Sequence, residues 1–205
     1  GSIQLFSQGE NRTEEEHRLT EIVIRETESL NRWITDFLTY ARPIGEQRGS
    51  LDLSREVSEA LEAIKYDSRF SNVDVQATIP SEAYVFADPV SIKQIVWNVV
   101  LNAAEAMDGG GKLWVEVDTA TREEFVQLRV TDTGPGIQSE HAERIFDPFF
   151  TTKSSGTGLG LATAFRLTAE LGGKLDFHTL FGEGTTFYID LPKPQRTSDR
   201  EPVKA

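Results

Sequence analysis

The chain has 205 residues, 38% of them hydrophobic, with no cysteine and a formal net charge of −12. That length allows one good-sized domain and an appendage. The acidity argues against a nucleic-acid binder, since no segregated basic patch would offset repulsion from a polyanion. The missing cysteines exclude disulfides and thiolate metal sites and permit a cytoplasmic location, and no apolar run is long enough to span a bilayer.

Residues 1–7 read as the end of a helix; the apolar run at Ile3–Phe6 is too short for a signal peptide. Ser7–Asn11 reads as a turn. Thr13 is the expected N-cap of a long helix reaching about Ala41, with Glu14, Glu15 and Glu16 near its positive end. Leu19, Ile22, Val23, Leu30, Trp33, Ile34, Phe37, Leu38 and Ala41 recur at steps of mostly three and four, interrupted at Glu26. Such a helix cannot bury its stripe alone, so a partner helix or a second copy is implied. Pro43 and the glycines after it end the helix and mark a linker.

Beyond the linker, Leu51–Leu53 reads as a short strand and Ser54 as the cap of a helix through Lys65. Val73–Ile79 and Ala83–Phe86 read as strands. Asp88 and Pro89 open a helix through Met107. Leu113–Val117 and Phe125–Val130 suggest a hairpin. Residues 137–157 hold no long periodic run, which suggests a mobile lid. A helix at 159–171 ends at Gly172 and Gly173, and strands at 174–178 and 185–191 follow. The tail from Pro192 is polar and reads as disordered. The sum is an α+β sandwich with mostly antiparallel strands and helices on one face.

Two glycine runs carry the chemistry. Asp132-Thr-Gly134-Pro-Gly136 follows a β-rich segment, and its aspartate can accept a hydrogen bond from an exocyclic amine. Gly156-Thr157-Gly158-Leu159-Gly160 opens a helix, whose free N–H groups make an anion site. One site for a base and one for phosphates suggests a nucleotide. Either run alone is equally an ordinary turn. There is no Walker A pattern and no GxGxxG fingerprint, so a nucleotide would bind in another way. Asn98 and Asn102 share a helix face and, alone, read as satisfied amides at a helix edge.

The order of these motifs is what identifies them. The Asn98/Asn102 pair, Asp132–Gly136, Ile145-Phe-Asp-Pro-Phe-Phe-Thr-Thr-Lys153 and Gly156–Gly160 resemble the N box, first glycine box, F box and second glycine box of bacterial sensor histidine kinases. The glycine motif at Gly182–Thr185 fits the same pattern. The resemblance covers residues 50–192 and is nearest the nitrogen- and pilus-regulation sensor kinases. Asp36–Pro43 resembles the end of the second helix of that family's dimerisation and phosphotransfer hairpin. The implied organisation is residues 1–48 as part of the hairpin with linker, 49–193 as a catalytic ATP-binding domain of the Bergerat type, and 194–205 as a tail.

The resemblance implies roles for ATP and Mg²⁺. Asp132 would bind the adenine amino group, and Gly134 and Gly136 would shape the base pocket. Asn102 would hold Mg²⁺ with Asn98 beside it. Gly156, Thr157, Gly158, Leu159 and Gly160 would lie by the phosphates, and Lys153 would neutralise charge as it develops. Arg144 would do likewise or form a surface salt bridge. Phe146, Phe149 and Phe150 would anchor the lid. Related hydrolytic ATPases carry Glu at position 98 as a base; an amide cannot take that proton, which favours transfer to a side chain and gives Asn98 and Lys153 the catalytic assignment. Glu105 departs from the Lys that many sensor kinases carry.

None of His17, His141 and His178 has the expected acceptor context, so the acceptor histidine is expected upstream of this chain, with no self-phosphorylation. The implied partners are a response-regulator receiver domain and a second copy in the full-length protein, weakly or not at all in this stretch. Neither nucleic acid nor a membrane is expected as a partner. The expected location is the cytoplasm, free or as the inner part of an anchored sensor. A non-catalytic, ATP-gated interaction module is the alternative.

Overall fold

The computed structural model describes residues 14–41, 48–108, 110–153 and 156–195. The helix end expected at 1–7, the turn after it, the Thr13 cap, most of the linker and the tail after 195 lie outside these residues.

Alternation of apolar and polar residues builds the sheet. Five strands, β2 (Val73–Thr78), β4 (Gly111–Asp118), β5 (Phe125–Asp132), β7 (Gly184–Pro192) and β6 (Lys174–Leu180), lie side by side in that order. Four of the strands run antiparallel to their neighbours, and β2 joins β4 in parallel. Leu113, Val115, Leu128, Val130, Phe187 and Ile189 form the buried face, while Trp114, Glu116, Arg129 and Tyr188 alternate onto the more open one. A separate antiparallel pair, β1 (Gly49–Asp52) with β3 (Tyr84–Ala87), closes one end.

Helices α2 (Leu53–Ile64), α3 (Pro89–Ala106) and α5 (Gly160–Glu170) contribute to the same core. The α3 start is the one expected: Asp88 Oδ1 accepts from Ser91 N at 2.9 Å, with Pro89 in the first turn. The α2 start is not. Asp52, rather than Ser54, is the cap, accepting from Ser54 N at 3.0 Å and from Ala83 N at 3.1 Å. One carboxylate thus satisfies the helix start and ties β1 to the segment entering β3, and Ser54 is buried in the first turn.

The segment expected as a lid contains a four-residue helix α4 (Ser139–Ala142) and a run of turns. It is anchored by aromatics, as expected: Phe146 stacks on Phe165 at 4.7 Å and meets Phe177 edge-on. Its second half is tied to the residue after it where Phe149 N donates to Gly158 O at 3.0 Å.

Helix α1 (Glu14–Ala41) touches the body late in its length. Trp33 stacks with Phe149 at 6.0 Å, and the Arg166 guanidinium lies 5.4 Å from the centre of the Tyr40 ring. Leu19, Val23, Leu30, Ile34 and Leu38 stay at least half exposed, as a stripe awaiting a partner would.

Candidate functional site

Asp132 ends β5, opposite Leu113 of β4 and Thr185 of β7. Its Oδ1 accepts from Gly134 N at 2.8 Å and Thr185 N at 3.3 Å. Burial pushes its carboxyl above the ordinary range, opposed by those two N–H groups and by the charge of Lys153. A Cβ on Gly184 would sit 2.0 Å from Asp132 O, and its φ of +124° is one few side chains adopt. Gly136 lies against the Leu180 backbone. This end of the site is main chain wrapped around one carboxylate.

A cavity of about 960 Å³ is lined in part by α3. Asn98, Asn102, Lys153 and the loop Gly156–Gly160 line it, so the structure brings these expected residues together; Asp132, Gly134 and Gly136 do not line it. Lys153 Nζ donates to Asn102 Oδ1 at 3.1 Å and to Glu105 Oε2 at 2.8 Å. Asn98 Oδ1 accepts from Gln94 Nε2 at 3.1 Å, and its Nδ2 is buried with no partner. A donor without an acceptor, on a residue lining the same cavity as a lysine, fits anionic oxygens. The loop turns at Gly158, where a Cβ would meet the Phe149 carbonyl carbon at 2.5 Å. Thr157 Oγ1 donates to Asp36 Oδ2 of α1 at 2.7 Å.

Among the described residues, no three His, Cys, Asp or Glu side chains could hold a metal by themselves. The Asn102 amide oxygen is nonetheless a hard oxygen donor. It suits magnesium, which takes few protein ligands and completes its shell with phosphate and water oxygens.

Arg144 packs 4.4 Å from the centre of the Phe150 ring and 3.8 Å from Asp147, away from the cavity, which favours the surface salt bridge. His17, His141 and His178 do not line the cavity either. Sequence reasoning passed over Asp36 and Arg69, which do line it. Asp36 sits on a helix read for its apolar stripe and as part of a hairpin, and Arg69 in a short turn with no periodicity.

The fold and site define a nucleotide-binding ATPase-type domain, and residues 87–195 match the family described as histidine kinase-, DNA gyrase B- and HSP90-like ATPases. The chain belongs to that family. Its relatives include the sensor histidine kinase ZraS of Klebsiella oxytoca, 30% identical over 202 residues, which make up 98% of this chain and 44% of that protein. The signal transduction histidine-protein kinase AtoS of Escherichia coli K12 is 33% identical over 172 residues, 83% of this chain and 28% of AtoS. The chain therefore spans less than half the length of these relatives. The solved catalytic domain of the histidine kinase ThkA is 33% identical, with a TM-score of 0.63, covering 72% of this chain and 98% of that one. ThkA solved in complex with the response regulator protein TrrA gives 27% identity and a TM-score of 0.72, over 95% of this chain and 56% of that one.

Proposed function

We propose that residues 49–193 are the ATP–Mg²⁺-binding catalytic region of a sensor histidine kinase, and that residues up to 48 belong to its dimerisation hairpin and linker. The γ-phosphate would pass to a histidine outside this chain and then to an aspartate of a response regulator. The observation that carries the reading is the pairing of a backbone-held carboxylate, Asp132, with a cavity holding Asn98, Asn102, Lys153 and the glycine loop.

Asp132 accepts the adenine amine, using the oxygen its two N–H partners leave available. Asn98 Nδ2 donates to phosphate oxygen. Lys153 moves from Glu105 and Asn102 to the phosphates and neutralises charge as it spreads over the transferring group. Asn102 Oδ1, released by that lysine, would hold magnesium, which supplies the remaining positive charge at the phosphates. With an amide at position 98 no base stands there to activate water, so transfer to a side chain is favoured over hydrolysis. The complex of the similar ThkA with TrrA supports a receiver domain as the downstream partner.

Titration calorimetry with a non-hydrolysable ATP analogue, with and without Mg²⁺, tests the nucleotide site. Magnesium-dependent binding is expected, and no binding would refute the assignment. Incubation with labelled ATP and a separately supplied hairpin bearing an acceptor histidine tests the kinase. Acid-labile label on the hairpin and none on this chain is expected. The Asp36–Thr157 bond favours a second reading, an ATP-gated interaction module; nucleotide binding without any transfer to the hairpin would select it.

A further inference from the structure

We propose that Arg69 is a phosphate-contacting residue of this site, with Glu105 as the counter-ion that the nucleotide displaces. The inference rests on the nucleotide-binding reading above and adds a group to it.

Arg69 lies in a single 3₁₀ turn, Ser68–Phe70, between α2 and β2. The turn is built to hold it. Asp67 caps the turn, accepting from Arg69 N at 3.0 Å, while Phe70 is buried in the core. The same carboxylate grips the guanidinium from one side: Nε donates to Oδ1 at 2.9 Å and Nη2 to Oδ2 at 2.6 Å. The guanidinium lies 5.8 Å from the Trp97 ring centre on α3. Two of its three nitrogens are thus committed, which orients the planar fork. The third, Nη1, lies 3.9 Å from Glu105 Oε1, beyond hydrogen-bond range.

Arg69 and Lys153 converge on one carboxylate. Glu105 Oε2 receives Lys153 at 2.8 Å, and Oε1 lies 3.9 Å from Arg69 Nη1. All three residues line the same cavity as Asn98, Asn102 and the glycine loop. A surface arginine serving only its turn would need Asp67 alone. Here it also approaches, in the cavity lining, an anion already bound by the lysine assigned to the phosphates. A polyphosphate offers both cations several oxygens in place of one partly exposed carboxylate, and the exchange leaves Glu105 free of both. Arg69 lines the cavity that Asp132 does not, beside the lysine assigned to the transferring phosphate. Its contact therefore falls on the outer phosphates.

Binding of AMP and of a non-hydrolysable ATP analogue, each with Mg²⁺, to the parent, Arg69→Ala, Arg69→Lys and Glu105→Gln is the test. Arg69→Ala should weaken the triphosphate analogue about tenfold or more, the scale of one charge-assisted contact, and leave AMP unchanged. Arg69→Lys should recover part of the loss, and Glu105→Gln should tighten the analogue severalfold. An equal loss for AMP, or no loss for the analogue, would overturn the assignment of Arg69. Failure of the parent to bind either nucleotide would instead sink the reading of the whole site.

Discussion

Asp132 is held by main-chain N–H groups of Gly134 and Thr185, whereas Asn102, Glu105 and Lys153 hold one another through the tips of side chains. The proposed base end is set by strand register and glycine geometry and cannot shift without moving β5 against β7. The proposed phosphate end is a set of exchangeable polar pairs, partly open to solvent. A base has one shape, and fixed backbone suits it. In the proposed reaction phosphates arrive with a metal and leave changed, and groups that swap partners suit them.

If the base end is indeed rigid, the largest effect should come from its frame. Gly184→Ala places a Cβ 2.0 Å from Asp132 O at a φ of +124°. The expected cost is about 3 kcal/mol or more, read as a fall in thermal midpoint with nucleotide binding lost alongside. The same change at Gly182, whose added Cβ would meet nothing within 4 Å, should cost less despite its φ of +90°. Equal costs would break the comparison.

Asp132→Asn comes next. It keeps an oxygen for the two N–H donors but turns a donor toward the adenine amine. The ATP analogue should weaken on the order of a hundredfold by calorimetry, with a thermal midpoint close to the parent's. Acidity sharpens the point. Because burial raises the Asp132 carboxyl, the proton favours the folded state. Its contribution to stability is therefore present at low pH and lost as pH rises through the raised value. Analogue affinity should run the other way, falling as pH drops through that value. Asp67, Asp118 and Asp176, held below the usual range mainly by hydrogen bonds to Arg69, Thr121 and Lys174, lose their stabilisation as pH falls. Subtracting the Asp132→Asn profile from the parent's isolates the Asp132 share.

At the exchangeable end, Lys153→Ala should weaken the analogue about tenfold and leave thermal stability nearly unchanged, since its pair with Glu105 is partly exposed. The smallest effect belongs to Asp36→Ala. Loss of the Thr157 bond, worth roughly 1 kcal/mol, should appear as severalfold faster amide exchange in the glycine loop, with little change in the β5 and β7 amides.

Most of this architecture was legible because apolar alternation and helical steps are local. The α3 start and the β4–β5 hairpin follow from residues within a few positions of one another. The misreading at Ser54 came from reading Asp52 as part of a strand reaching Leu53, when Asp52 is the cap and is tied as well to Ala83, thirty-one residues away. The glycine boxes announced Asp132 and the loop, since glycine is required wherever backbone approaches backbone. Arg69 left no such mark. Its importance lies in where a three-residue turn sets it against Trp97 and Glu105, and neither partner is near it in the chain.

Helix α1 spans 28 residues, about 42 Å at the usual rise, yet the contacts described above fall at Trp33, Asp36 and Tyr40, in its last third. These contacts hold it near its C-terminal end, as a cantilever is held. Two of its clamps grip Phe149 and Thr157, on either side of the bond from Phe149 N to Gly158 O. A twist applied toward the N-terminal end is therefore delivered to both sides of that bond at once, as torque. Reciprocity makes the converse hold: an anion that draws Thr157 away from Asp36 does work on the helix, and the long arm displays it far from the site.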